Sequence, residues 1–383
     1  MKVGFLSQSD YNSSPFRFFD NREKYLLFVN TCNEKQVIAE RISMDVKYLR
    51  PSSLGLRVFD AGMGDGSVLT RVMRQLHDNF PKTPFSILGK EISQEDLRIS
   101  LDKMSDRFVE HPQTVLTVTN MFYPEATNLR PNSSENRARL NWKVVELEGT
   151  TSHQFDTQIR DLEPLISKWW RTKRSLKTNN PIYSTPSVIV FYRKDQKDFL
   201  SSIIPENQYC HNYQYDLIIA AQPFRSRVPA QTKVKNVLAP LAKALAKSGL
   251  MIVIQSIGKD PGMEIIRRIW PDEKPFQSPR RDLIVELKKQ LELINEDFTY
   301  IDYVDSRAEF NYHLQLPSDE MASSIGTSTT LAAWNAAIYV AQIEDERVEN
   351  EMRKGTYLDV TQEVLRKYHG LWFSDESFIV TKT

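Results

Sequence analysis

Apolar residues follow two spacings along the chain, and these spacings predict alternating strands and helices. A short apolar run, Leu56–Asp60, is followed by a turn with three glycines. Apolar residues then recur every three or four positions from 68 to 76, which predicts a helix. A strand, a turn and a helix repeated in this way predict a parallel sheet with right-handed crossovers.

Seven segments along the chain have the pattern of buried strands. Helical spacing occupies much of the sequence between them and also precedes the first strand, over residues 15–50. The predicted strands are Leu56–Asp60, Phe85–Lys90, Val115–Val118, Tyr215–Ala221, Gly249–Gln255, Phe298–Val304 and Ser377–Lys382.

Two long segments interrupt this alternation. Residues 125–213 contain strand-like runs at 142–147 and 187–192 and a helical run at 155–171, which is too much for an ordinary loop and predicts an inserted subdomain. Residues 305–372 are mostly helical in pattern. The expected division is an N-terminal helical cap (1–53), a core (54–124 and 214–304), the inserted subdomain (125–213), and a helical insertion with the final strand (305–383).

Composition limits the function classes. The 383 residues include 50 lysines and arginines against 49 aspartates and glutamates, so no overall field attracts nucleic acid or an anionic membrane. Two cysteines without CxxC spacing argue against a structural zinc site and fit a reducing compartment. No apolar run approaches the roughly 20 residues that cross a bilayer. We therefore expect a soluble, cytoplasmic protein that contains no metal and does not associate with membranes.

The turn after the first strand carries the main functional indication. Its sequence from Asp60 to Gly66 is Asp-Ala-Gly-Met-Gly-Asp-Gly. Alternate glycines allow a sharp turn and a close approach of ligand to backbone, and the N-terminus of the next helix favours an anionic group. This stretch resembles the first motif of class I S-adenosylmethionine-dependent methyltransferases, an acid at the tip of strand one followed by GxGxG.

The resemblance implies an α/β fold: a Rossmann-like, doubly wound, mostly parallel seven-stranded sheet, here with a large insertion after strand three and a helical insertion near the C-terminus. It implies S-adenosyl-L-methionine as cofactor. Asp60 would face the amino group of the cofactor, and Glu91 would hold both ribose hydroxyls. Asn120 and Met121 would border the adenine, and Tyr25 on the N-terminal helix would approach the carboxylate. The cofactor-binding residues expected are Asp60, Gly62, Gly64, Gly66, Glu91, Asn120, Met121 and Tyr25.

Other interpretations of these residues stay open. A dinucleotide fingerprint also places glycines after strand one, but its third glycine would fall on Ser67, and Glu91 comes later than the roughly 20 residues it expects. An acid at a strand end is often only a solvated or capping group. Asparagine is a favoured turn residue, and Tyr25 has the spacing of simple packing.

The methyl acceptor is expected at the tip of the fourth strand, since ligands of open α/β sheets bind at the carboxyl ends of strands. Gln222-Pro223-Phe224 partly resembles the Asn/Asp-Pro-Pro-Tyr/Phe motif of methyltransferases that modify amino nitrogens. Gln222 and Phe224 are therefore candidates for acceptor contact, with Phe224 as an aromatic wall or a plain hydrophobic plug. His211, just before the strand, is the candidate general base, with His153 and His313 as alternatives, and each of the three is also compatible with a structural or surface role.

Three functions fit these observations. The first is an enzyme that methylates a small molecule, in which the two long segments cover the pocket. The second is a nucleic-acid methyltransferase, which the Gln-Pro-Phe turn and the run Trp169–Arg174 favour. The third is a non-catalytic cofactor-binding subunit whose insertions bind partners. A homodimer is compatible with each.

Overall fold

The computed structural model describes residues 22–176, 181–207, 213–292, 297–315 and 325–383. The chain forms two compact units, each assembled from three segments. The larger unit comprises 35–255, 278–309 and 376–383, and the smaller one holds the described parts of 1–34, 256–277 and 310–375. The predicted domain limits do not coincide with these units.

A single large sheet dominates the structure. Ten strands of the described residues belong to it, and β5 and β6 form a separate pair. The strands are β1 (Leu56–Asp60), β2 (Phe85–Lys90), β3 (Thr114–Thr119), β4 (Asn141–Leu147), β5 (Thr172–Arg174), β6 (Pro181–Tyr183), β7 (Ser187–Arg193), β8 (Tyr215–Ala221), β9 (Leu245–Ser256), β10 (Phe298–Ile301), β11 (Glu309–His313) and β12 (Trp372–Lys382).

The strand order confirms the expected Rossmann-like fold. From the middle of the sheet to one edge it is β3–β2–β1–β8–β9–β12–β10. The pairs β1–β2, β2–β3, β1–β8 and β8–β9 are parallel, and β10–β12 is antiparallel. The order reverses direction between β1 and β8, which is the switch point where doubly wound sheets bind their ligands.

The segment interpreted as an inserted subdomain contributes to the same sheet. β7 pairs antiparallel with β3, and β4 pairs parallel with β7, so the order continues β3–β7–β4. All seven residues of β7 are buried. Two strands of the segment 125–213 are therefore structural parts of the larger unit.

Helices connect the strands, and their apolar faces are buried as the spacing predicts; Leu69, Val72 and Leu76 of α3 are fully covered. The helices are α1 (Arg22–Thr31), α2 (Glu34–Val46), α3 (Ser67–Asn79), α4 (Gln94–Asp102), α5 (Met104–Glu110), α6 (Tyr123–Ala126), α7 (Ser134–Ala138), α8 (Ser152–Arg160), α9 (Glu163–Trp169), α10 (Lys197–Leu200), α11 (Ala230–Lys233), α12 (Ala239–Lys243), α13 (Pro261–Ile269), α14 (Arg280–Leu291), α15 (Asp305–Ala308), α16 (Thr327–Val340), α17 (Asp345–Lys354) and α18 (Thr356–Tyr368).

Several predicted helices are divided in the structure. The apolar spacing predicts single helices over 94–108, 155–171 and 328–353. The structure has two helices in place of each: α4 and α5, α8 and α9, and α16 and α17. Between α11 and α12, residues Val234–Leu238 form a π-helical segment. Periodicity alone does not detect such interruptions, because both parts of a divided helix keep a buried face.

The smaller unit is mainly helical, with α1, α13, α16, α17 and α18. Phe28 of α1 packs on Tyr339 of α16, with ring centroids 4.8 Å apart. In the described parts of the chain, no helix combines the length and apolar character needed to cross a membrane.

Candidate active site

The glycine turn lies between β1 and α3 and adopts a backbone that requires glycine. Gly64 has φ 53° and Gly66 has φ 75°, both in the left-handed region that side chains disfavour. A Cβ on Gly66 would also collide with Ser100 of α4, whose Cα would lie 3.0 Å away. The Gly62 N–H donates to the Asp60 carboxylate at 3.1 Å. The turn is thus closed by its own backbone and by the acid before it.

Asp60 is a buried carboxylate at the end of β1, with 2% of its surface exposed. Burial raises its pKa to about 7; the hydrogen bond from Gly62 opposes this rise, Glu91 adds to it, and the charge of Lys35 opposes it. A carboxylate held in this way gains from a cationic ligand, because the ligand's charge would compensate the loss of water.

Glu91 follows β2, the strand next to β1, and its carboxylate accepts three backbone N–H groups. Oε2 accepts from Gly64 at 2.9 Å, and Oε1 accepts from Ile92 and Ser93 at 2.7 Å each. Burial nevertheless raises the pKa of Glu91. An ionised carboxylate has about four acceptor positions, so one remains for a ligand hydroxyl without loss of an existing bond.

The start of α3 is fixed by an ion pair behind the turn. Lys103 Nζ donates to the Asp65 carboxylate, the Asp65 carbonyl oxygen and the Ser67 hydroxyl, each at 2.7 Å. Although burial opposes it, the charges of Lys35 and Lys103 and the hydrogen bonds from Lys103 and Ser67 lower the pKa of Asp65. Asp65 therefore stays ionised and holds the turn in place.

Asn120 and Met121 follow β3, the third strand of this series, and both are buried. The Asn120 amide nitrogen donates to the carbonyl oxygens of Thr185 and Trp169, and its oxygen accepts from Ser187 N–H at 2.9 Å. These bonds tie β3 to the start of β7. The predicted contact with adenine remains a prediction. Because the amide of Asn120 is already used in these hydrogen bonds, such a contact would be a van der Waals contact.

The turn after β8 carries the proposed acceptor residues. Gln222 has φ 50°, an uncommon conformation for a residue with a side chain, and its N–H donates to the Ile254 carbonyl oxygen. Lys233 Nζ lies 4.7 Å from the centroid of the Phe224 ring. One face of Phe224 thus already holds a cation, which disfavours a second cation such as a sulfonium on the same ring.

Three further residues reach this region, and sequence reasoning missed them. Lys90 Nζ lies 4.8 Å from the centroid of the Tyr123 ring, and the Tyr123 hydroxyl donates to the Pro223 carbonyl oxygen at 2.7 Å. The buried Trp170 donates from Nε1 to the Glu91 carbonyl oxygen at 2.8 Å. Trp170 belongs to the segment 125–213, so that segment supports the cofactor side of the site as well.

Comparison with known proteins finds similarity in three-dimensional structure alone. No protein-family model matches the chain, and no curated protein sequence does. The chain is similar to a protein proposed to be a sarcosine dimethylglycine methyltransferase from Galdieria sulphuraria, with 12% identity, coverage of 90% of this chain and 84% of the other, and a TM-score of 0.36. It is also similar to a geranyl diphosphate methyltransferase, with 11% identity, coverage of 91% of this chain and 77% of the other, and a TM-score of 0.33. For the plantazolicin methyltransferase BpumL, the identity is 11%, the coverage is 95% of this chain and 91% of the other, and the TM-score is 0.29.

Such identities and TM-scores support no statement about activity. The fold is assigned from the strand order and from the acid–glycine turn at the switch point. The chain has a Rossmann-like, doubly wound α/β fold.

The sequence also named Tyr25 and His211 as candidate site residues. Tyr25 belongs to the smaller unit, where its ring lies 5.9 Å from that of Tyr339. Lys35, at the start of α2 in the larger unit, is the cation whose charge acts on Asp60 and Asp65. His211 lies outside the described residues. Among the residues that are described, no group of three or more His, Cys, Asp or Glu side chains could hold a metal ion.

Proposed function

We propose that the larger unit binds S-adenosylmethionine at the ends of β1 and β2 and transfers its methyl group to a small-molecule acceptor. The observation that supports this most is the hydrogen bond from Gly64 N–H to Glu91, which joins the glycine turn to the acid of the neighbouring strand. It brings two buried carboxylates, Asp60 and Glu91, to one switch point. A ligand with both a cationic amine and hydroxyl groups complements that pair.

Each residue then has a role that the geometry allows. Asp60 faces the amino group of the cofactor, and its ionisation is favoured by that cation. Glu91 accepts one ribose hydroxyl with its remaining acceptor position, rather than the two that the sequence suggested. Methyl transfer needs in-line alignment in a dry pocket, and the buried Asp60 and Glu91, beside the partly buried ends of β2 and β8, provide such surroundings.

A small-molecule acceptor is favoured over nucleic acid by the placement of the Trp169–Arg174 run. Trp170 is 1% exposed and is engaged with Glu91, so it does not offer a face on which a base could stack. The cations from Arg171 to Arg174 are exposed and not interleaved with an exposed tryptophan. This run comprises the end of α9 and strand β5.

The proposal is tested by calorimetric titration with S-adenosylmethionine. Gly64→Val should abolish binding, because a β-branched residue disfavours φ 53°. Glu91→Gln should weaken binding more than tenfold, since loss of charged hydrogen bonds costs about 1.5–3 kcal/mol. Glu95→Gln, on the exposed side of α4, is the matched control and should bind like the parent protein.

Unchanged affinity in folded Gly64→Val and Glu91→Gln proteins would remove the cofactor from this site. The acceptor is sought separately, by comparing metabolites of cells with and without the protein for mass changes of one methyl group. Cofactor binding without any methylated product would favour the non-catalytic alternative.

A further inference from the structure

Lys90 is placed beside the site in a way that the roles above do not use. It is the last residue of β2 and directly precedes Glu91. Its amine lies over the ring of Tyr123, and the hydroxyl of that ring reaches the carbonyl oxygen of Pro223 after β8. Lys90 is therefore linked, through one aromatic ring, to the turn at which the acceptor is expected.

The amine of Lys90, which is partly buried, also lacks the hydrogen-bonding partners that Lys103 has. In the described part of the chain its Nζ makes neither a hydrogen bond nor an ion pair, whereas Lys103 Nζ makes three hydrogen bonds. Lys90 is only partly exposed, and burial lowers its pKa although the charge of Glu91 opposes this change. Desolvation without a bonded partner favours the neutral amine, whose lone pair can take a proton.

The groups that face Lys90 do not compete for this role. Burial and the charges of Glu91 and Asp60 raise the pKa of Tyr123, so its hydroxyl remains a donor. Glu91 accepts three backbone N–H groups of the turns, and Oδ1 of Asp60 accepts one, from Gly62. Given the proposed function, the sulfonium of the cofactor would further disfavour the ammonium form of Lys90.

We propose that Lys90 is the general base of the methyl transfer, and that the acceptor is a hydroxyl or amine that loses a proton in the reaction. The bond between the methyl carbon and the cofactor sulfur breaks, and its electron pair stays on sulfur as S-adenosylhomocysteine forms. The acceptor oxygen or nitrogen forms the new bond to the methyl carbon. Its proton moves to Nζ of Lys90, which becomes an ammonium.

A first experiment needs no acceptor. The parent protein is acetylated with limiting acetic anhydride at several pH values, and the labelling of each lysine is measured by mass spectrometry. Lys90 should reach half-maximal reactivity at a lower pH than the exposed Lys82, and S-adenosylhomocysteine should protect it. The proposal is wrong if Lys90 titrates with Lys82 or stays unlabelled at every pH, because such an amine is not a reachable base.

A second experiment distinguishes a base from a cation that only binds or orients the acceptor. Single-turnover methylation is measured with S-adenosylmethionine and phenol, ethylamine and lactate as probe acceptors. The single-turnover rates of Lys90→Met and Lys90→Arg should both be about 10²–10⁴-fold lower than that of the parent, which is the usual contribution of general base catalysis. Arginine keeps the charge but does not accept a proton. The control Lys82→Met should react like the parent.

Rescue and binding complete the test. Added methylamine should restore part of the rate of Lys90→Ala, which a structural role would not predict. All variants should bind S-adenosylhomocysteine within about threefold of the parent. A Lys90→Arg protein with the parental rate would overturn the proposal that Lys90 is the general base, but not the proposed function. Failure of the parent to bind the cofactor would overturn the proposed function.

Discussion

At the scale of single residues, Asp60 makes cofactor binding sensitive to pH. Its pKa is raised to about 7, mainly by burial, so at lower pH the carboxyl is largely protonated. A cationic amino group binds to the ionised carboxylate. Below pH 7, Asp60 must first lose its proton, and the free energy of this deprotonation weakens binding. Affinity for S-adenosylmethionine should therefore fall by up to about tenfold for each pH unit below 7.

Calorimetry between pH 5.5 and 7.5 measures this dependence. The same experiment at pH 7 should also detect the release of protons on binding, because the cofactor favours the ionised form of Asp60. The range stops below the roughly 7.7–8.0 at which an α-amino group loses its own proton. Asp60→Asn should bind more weakly at pH 7.5 and show a flatter profile. A parental profile that is flat across the range would contradict the proximity of Asp60 to the amino group.

Sequence reasoning named the candidate-site residues that belong to one continuous motif or one strand end. Asp60, the glycines and Glu91 were named because their spacing relative to strands is local, and their part in cofactor binding remains a prediction. Lys90, Tyr123 and Trp170 were missed, since their contacts join positions that are 33 to 100 residues apart, as in the bond between Tyr123 and Pro223. Lys90 and Tyr123 carry no motif, whereas Trp170 was noticed only as part of a basic, aromatic run.

At the scale of elements, the strands at 142–147 and 187–192 were predicted, but their place in the main sheet was not. Alternation of apolar residues marks a strand without naming its neighbour. β7 pairs with β3 on one side and with β4 on the other, and all of its residues are buried. A continuous apolar run such as Val188–Tyr192 is the sequence feature that indicates an interior strand.

Arg280, the first residue of α14, connects this helix to β12 and to the chain after β10. Its guanidinium donates to Asp302 at 2.8 Å and to the buried Glu376 at 3.0 Å, and it also contacts Asp305. These hydrogen bonds raise the pKa of Arg280 although burial opposes the rise. Removal of the guanidinium would leave Glu376 buried without its main cation.

We therefore expect Arg280→Met to lower the free energy of unfolding by about 3–5 kcal/mol, the usual effect of breaking a buried pair. Arg281→Met is the matched control: its side chain is 68% exposed, and the change should stay within about 0.5 kcal/mol. Urea denaturation compares the two. Equal midpoints for both variants would show that the Arg280 cluster contributes little to stability.

At the scale of the whole molecule, the two units are interleaved along the chain. Each is made of three segments, and the last eight residues, 376–383, belong to the larger unit. They form most of β12, which lies between β9 and β10 rather than at an edge. The predicted final strand at 377–382 is thus confirmed, whereas its interior position in the sheet follows only from the structure.

Removal of residues 376–383 should consequently prevent the larger unit from folding. The deletion removes Phe378, Ile379 and Val380, each at most 1% exposed, and full burial of each such side chain contributes about 1.5–3 kcal/mol. The combined loss is comparable with the whole stability of a typical domain, about 5–15 kcal/mol. It would also expose the backbone of β9 and β10 as open edges, which favour aggregation. Deletion of Thr383 alone is the control, because that residue makes one backbone hydrogen bond, to Asp297. The control should remain soluble and melt like the parent, whereas the longer deletion should be found in the insoluble fraction; a soluble, cooperatively melting deletion protein would show that β12 is dispensable.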